Sequence, residues 1–187
     1  MKKSFFLLIF LIGSYAFSQS VTVFRGYEEY LNKQGIKYDV FKKIRHTATG
    51  KYRILARKSG KNHRIKCERI WGFMLENTLF RSYGSGQYVM QVDGDKLFYF
   101  ENGEAYLNKG TFLVGHYNFI AESLNGNLIP LPTPDAKPAI LEQYEDFKQM
   151  HPKYAPFYHC FDKNHTLENC RDCIDRYNHP DKIRPFQ

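Results

Sequence analysis

The 187-residue chain lacks four short catalytic signatures that are read by spacing. It has no glycine-rich phosphate loop and no dinucleotide glycine pattern. It also has no His-Glu-x-x-His and no Gly-x-Ser-x-Gly elbow. The nucleotide-dependent, zincin and serine-hydrolase classes therefore have no anchor in it. Only one Trp and four Met occur, with 13 Gly and 8 Pro, against 16 Phe and 14 Tyr. A chain so rich in ring side chains and turn formers leans towards sheets and away from a helical bundle. With 43% hydrophobic and 25% charged residues it is globular rather than disordered.

No run of about 20 apolar residues occurs, so nothing reads as a membrane-spanning helix. The one apolar run, Phe5 to Ile12, follows Lys2 and Lys3 and precedes Ala16 and Ser18. That order reads as a secretory leader over 1–18, with the mature chain starting at Gln19. No Cys follows the run to carry a lipid. The expected product is exported, periplasmic or extracellular, with no transmembrane segment after cleavage. Without Lys2 and Lys3 the 27 bases become 25 against 19 acids, a net charge of +6.

Export decides how four cysteines are read, because thiols pair in an oxidising compartment. Cys67 lies in a strand-like run, and Cys160, Cys170 and Cys173 crowd the end of the chain. His159, His165 and His179 stand among them, so a zinc site has to be weighed. The paired spacing of a finger or ribbon is missing, and the disulfide reading is preferred, with no metal and no cofactor expected. A redox pair at Cys170 and Cys173 is disfavoured. Cys170 falls inside a helix rather than at its start, and Asp172 opposes a thiolate. Pairing Cys170 with Cys173 would strain a helix turn, so the expected bridges join Cys160 to one of them and Cys67 to the other.

Residues 19–131 read as a β-rich domain. Asp93-Gly94, Asn102-Gly103 and Asn125-Gly126 are hairpin signals. Strands are expected over 51–56, 65–75, 87–93, 96–100 and 111–119, with a loop near Ser59-Gly60 and a single helical turn within 26–32. Gly115 is expected as a bulge. Leu131-Pro132-Thr133-Pro134 breaks the pattern as a linker. Residues 132–187 then form a helical extension. One amphipathic helix carries Ile140, Tyr144, Phe147 and Met150, and a second, capped by Thr166, carries Leu167, Cys170, Ile174 and Tyr177. The expected fold is mainly β, an antiparallel meander, open barrel or sandwich of six to eight strands. A small two-helix unit stapled onto it by disulfides makes it α+β.

Charge is absent in one sign over a long stretch. Between Asp39 and Glu68 there is no acid. The same stretch holds ten bases, Lys42, Lys43, Arg45, Lys51, Arg53, Arg57, Lys58, Lys61, Arg64 and Lys66. Outside it, 15 bases of the mature chain face 19 acids. The candidate binding residues are Lys42, Lys43, Arg45, Lys51, Arg53, Arg57 and Lys58, for an anionic envelope polysaccharide, a lipid headgroup or an acidic protein. Export makes nucleic acid an unexpected partner. The plainer reading is a basic edge that keeps a sheet soluble and unpaired.

Tyr27-Glu28-Glu29-Tyr30, Ile70-Trp71-Gly72-Phe73, Thr78-Leu79-Phe80-Arg81, Gln87 to Val92 and Lys96 to Phe100 follow one another in this order. Over residues 21 to 130 the chain resembles uncharacterised small exported bacterial envelope proteins that share the acidic-aromatic segment and the Ile-Trp-Gly-aromatic strand. The resemblance implies a β-rich envelope protein and supplies no catalytic residue. Trp71 is expected as the central aromatic of the sheet core and Gly72 as a bulge. Three functional classes follow: a non-enzymatic binding module, a metal-binding or thiol-active C-terminal unit, and a hydrolase whose site assembles only in space.

Overall fold

The computed structural model describes residues 19–84, 86–107 and 118–182. The leader at 1–18, most of the strand expected over 111–119, its Gly115 and His116 lie outside these residues. Among the described residues no helix is long and apolar enough to cross a membrane.

The chain is mainly antiparallel β, α+β overall. In chain order it runs β1 Val21–Phe24, α1 Tyr27–Leu31, β2 Ile36–Tyr38, β3 Val40–His46, β4 Tyr52–Lys58 and β5 Lys61–Lys66. A 3-10 turn at Cys67–Arg69 leads to β6 Gly72–Leu75, β7 Thr78–Tyr83, β8 Gln87–Gly94, β9 Phe98–Asn102 and α2 Gly103–Leu107. Then follow β10 Asn118–Ala121, β11 Ile129–Pro130, α3 Pro138–Met150, a 3-10 turn at Pro152–Tyr154, α4 Ala155–Phe161 and α5 Leu167–Asn178. Eight strands form one sheet in the order β11-β10-β9-β8-β7-β6-β1-β2, and β3-β4-β5 form a second. The large sheet is a meander from β6 to β11, and the small sheet is inserted between β2 and β6.

Among the described residues there are eleven strands in place of the expected six to eight, and the helical unit has a third helix, α4. The extra strands are short: β2 has three residues and β11 two, too few to show alternation. The expected strand over 65–75 is broken by the 3-10 turn at Cys67–Arg69. The α4 sequence APFYHCF opens with Pro near its start and buries Phe157, Tyr158 and Phe161, a span too brief for a helical period to stand out.

Hairpins occur where a meander requires them, but two of the expected dipeptides do not turn them. Asp93 and Gly94 belong to β8, beside a bulge between Gln91 and Asp93. Asn102 ends β9, and its Oδ1 accepts from the Glu104 N–H at 2.9 Å to start α2. Only Asn125-Gly126 lies in a strand connection, between β10 and β11. The tight turns fall instead at Ser59-Gly60, with φ of 49° and 77°, and at Glu76, with φ of 55°. Both close two-residue loops, Lys58 facing Lys61 and Leu75 facing Thr78.

Three apolar clusters hold the fold. Val21, Val23, Ile44, Ile54, Phe73, Phe80 and Tyr88 lie between the two sheets. Leu97 of the β8–β9 connection and Tyr99 and Ile120 of the large sheet meet Tyr144, Phe147, Phe157, Phe161 and Ile174 of the helices. Leu79, Val89, Phe100 and Phe119 form the third, with Trp71, Tyr27 and Tyr30 partly buried against it. Trp71 is thus not the central core aromatic. It is half-buried, its ring 5.1 Å from each of Tyr27 and Tyr30, and its Nε1 donates to Asn125 Oδ1 at 2.6 Å. Gly72 is not a bulge either, since β6 and β7 pair in regular register. A Cβ there would come within 2.5 Å of the Phe80 carbonyl oxygen, so glycine permits the close strand approach.

The helices are tied to the sheet by polar clamps rather than by a disulfide. Asn178 is 2% exposed; its Oδ1 accepts from the Leu97 N–H at 3.0 Å and its Nδ2 donates to the Leu97 carbonyl at 2.9 Å. Arg171 holds both Glu101 oxygens at 2.6 Å. The Thr166 hydroxyl caps α5 by accepting from the Asn169 N–H. The single bridge, Cys160 to Cys173, joins α4 to α5 within the helical unit.

Cys67 and Cys170 are free and fully buried, which corrects the expectation of two bridges. Cys67 packs between the sheets and Cys170 among the helices, in separate clusters, so the two left-over sulfurs do not meet.

Candidate functional site

The small sheet is built by two turns and one alternating pattern. Ser59-Gly60 reverses the chain between β4 and β5. Thr47 to Lys51, with Gly50 at φ 74°, reverses it between β3 and β4. Ile44, Ile54 and Ile65 sit opposite one another in register and pack towards the large sheet. Successive side chains alternate across a strand, so the neighbours of these isoleucines point away from the core.

That outward face is cationic in rows. Arg45 pairs with Arg53, and Arg53 with Lys66. In the next row Lys43 pairs with Leu55, and Leu55 with Arg64; in the third Arg57 pairs with Asn62. A bulge between Phe41 and Lys43 takes Lys42 out of the pairing, and its Nζ donates to Asn62 Oδ1 at 2.8 Å. Directly opposite side chains have Cβ atoms roughly 4.5–5.5 Å apart, and like charges so placed destabilise the pair. The charges lie at the ends of long stems that can splay apart, so each such pair matters by roughly 0.2–1 kcal/mol. Arg45, Arg53 and Lys66 meet this twice over in one row.

Five of the seven candidate residues, Lys42, Lys43, Arg45, Arg53 and Arg57, belong to this face, and Arg64 and Lys66 join them. The other two do not. Lys51 sits at the end of the β3–β4 turn, paired to Glu68 at 3.3 Å. Lys58 stands beside the Ser59-Gly60 turn opposite Lys61, with its Nζ 5.9 Å from the Tyr38 ring centroid. The signal that separates the two groups is register, which a count of bases along the chain does not contain.

Of the ten bases only Lys51 forms an ion pair among the described residues. No Asp or Glu occurs in residues 1–18, 85, 108–117 or 183–187, so those segments hold no carboxylate side chain to neutralise the face. The nearest acids in sequence are committed elsewhere. Asp39 Oδ2 accepts from the Ser59 N–H at 2.7 Å, and Glu68 takes Lys51.

The cysteine-rich end offers a different chemistry. The bridge takes Cys160 and Cys173 out of any metal shell, and among the described residues no group of three or more His, Cys, Asp or Glu could hold a metal ion. Burial pushes the Cys67 and Cys170 thiols up to about 12, so both stay protonated and poorly nucleophilic at neutral pH.

No protein-family model, curated protein or solved structure matches the chain.

Proposed function

We propose that the chain is an exported, non-enzymatic binding module that engages closely spaced oxyanions of an envelope component through the outer face of β3, β4 and β5. The observation that carries this reading is the row Arg45, Arg53, Lys66, three cations in register with no acid between them. A solubilising edge needs charge, but it does not need like charges directly opposite one another in the interior of a three-stranded sheet. A bound row of anions turns that mutual repulsion into attraction. The leader-like segment at 1–18 and the Cys160–Cys173 bridge support export, since such bridges persist in oxidising compartments. The thiol-active alternative is disfavoured by two free thiols held protonated in separate cores.

Retention of the mature protein at low salt on polygalacturonate, on vesicles containing phosphatidylglycerol and on a polyglutamate column tests the reading and separates the polysaccharide, lipid and acidic-protein arms. Retention on one of them that is lost towards 1 M salt, where the Debye length falls to about 3 Å, is the expected result. Absence of retention on all three at low salt contradicts it.

A further inference from the structure

A second constellation, of opposite sign, lies where the small sheet meets the ends of β7 to β10. A cleft of about 350 Å³ is lined there by Tyr52, Tyr83, Gln87, Tyr88, Asn102, Glu104 and Phe119. Its aromatic walls come as two pairs. The Tyr52 and Tyr88 rings stand edge to face, 5.5 Å apart at 86°, and the Tyr83 and Phe119 rings are 5.2 Å apart at 59°. Gly103 lets α2 settle on this wall, because a Cβ there would meet the Tyr88 ring at 2.6 Å.

Glu104 supplies the charge. Its Oε2 accepts from the Tyr52 hydroxyl at 2.7 Å, and its own N–H is fixed by Asn102 Oδ1. Burial and the Glu104 carboxylate both push the Tyr52 phenol up, so Tyr52 remains a donor. No basic side chain among the described residues pairs with Glu104, in a chain of net charge +8. The Tyr88 hydroxyl is buried in the same wall without a hydrogen-bond partner among the described residues. A carboxylate that has no basic partner among the described residues and stands beside aromatic rings favours one kind of ligand. Ring faces and carboxylate all attract positive charge, and the weakly hydrated alkylammonium group loses least on leaving water.

We infer that this cleft binds a quaternary or methylated alkylammonium group, of the kind carried by choline headgroups and trimethyl-lysine side chains. The Tyr52–Tyr88 pair is nearly perpendicular and the Tyr83–Phe119 pair is tilted at 59°, so the lining is angled and suits a rounded cation better than a flat sugar ring, which stacks on an open ring face. The volume lies at the small end of ligand pockets, enough for a headgroup rather than a whole lipid. Asn102 and Gln87 complete the polar part of the lining.

The test uses the full mature chain with its disulfide intact, titrated by calorimetry and by saturation-transfer NMR. The probes are choline, phosphocholine, Nε-trimethyl-lysine and the uncharged choline isostere 3,3-dimethylbutan-1-ol. Saturable binding of choline, at least about tenfold tighter than of the isostere, is expected. The phosphocholine and trimethyl-lysine arms then rank the two sources. Glu104→Gln keeps an acceptor for Tyr52 and should weaken choline about tenfold. Phe119→Leu, checked for an unchanged circular dichroism spectrum, should weaken it as well. Equal binding of choline and isostere, binding of N-acetylglucosamine in their place, or no saturable signal up to about 10 mM would each overturn the inference.

Discussion

Arg45 and Arg53 stand directly opposite each other across β3 and β4, and Lys66 stands opposite Arg53 on its other side. Arg53 therefore carries two cross-strand repulsions at once. It sits in the central strand, where its backbone cannot yield without breaking two ladders.

Arg53→Gln should stabilise the unliganded protein. It removes both like-charge contacts while leaving Ile54 and the ladder in place, a gain of roughly 0.5–1 kcal/mol at low salt. Thermal unfolding in dilute buffer should show the rise, and the gain should shrink as salt is added. A loss of stability of similar size at low salt would mean that the Arg53 stem packs against the face more than its charge repels.

Asn178 ties the end of α5 to Leu97 in the β8–β9 connection. Asn178→Ala strands the buried Leu97 N–H and carbonyl, which Asn178 satisfies from both sides of its amide. The cost should be roughly 2–4 kcal/mol, because unsatisfied buried groups bear the full desolvation penalty. Denaturant titration measures it, and a change below about 0.5 kcal/mol would show that water replaces the amide.

Base should unfold the protein through its buried acids. The Cys67 and Cys170 thiols are raised in the fold to about 12, above an unfolded value near 8.5. Their contribution is fully present below the unfolded value and is lost as pH rises through the folded one, a window of about pH 9 to 12. Burial raises the Tyr99 and Tyr144 phenols as well, which adds to the same limb. Cys67→Ala with Cys170→Ala should flatten part of the alkaline limb in urea titrations at pH 9, 10 and 11. Thiol reagent should count two sulfhydryls in denatured, unreduced protein and almost none in the native state; a count of zero when denatured would restore a second bridge.

The C-terminal helices were the most legible elements, because capping and periodicity are local. Thr166 caps α5, Tyr144 and Phe147 turn inward from α3, and Cys170 and Ile174 from α5, while Met150, read into the α3 stripe, is 67% exposed because the helix ends there. The antiparallel β class was legible from rings and turns, and so was the loop at Ser59-Gly60, but Asp93-Gly94 and Asn102-Gly103 do not turn hairpins. Glu76 takes positive φ without belonging to a favoured dipeptide, while Gly103 serves a close approach to the Tyr88 ring. Disulfide partners depend on which helix faces meet, and α4 was too short to anticipate. The basic stretch stood out as composition. Its division into a face of Arg45, Arg53 and Lys66 and a turn-side pair of Lys58 and Lys61 comes from register alone. The cleft at Glu104 gathers residues from 52 to 119, a spread that no local pattern encodes.

The most direct measurement compares two variants of equal net charge. Arg45→Gln with Arg53→Gln empties the row on the outer face, and Lys58→Gln with Lys61→Gln removes two cations beside the β4–β5 turn. Affinity for whichever anionic probe retains the native protein is measured for both from low to high salt. The account predicts that the first pair loses most of the binding and flattens its salt dependence, while the second stays within about threefold of the native protein. Equal losses from the two pairs would show that only total charge matters, and would contradict a site formed by the Arg45, Arg53 and Lys66 row.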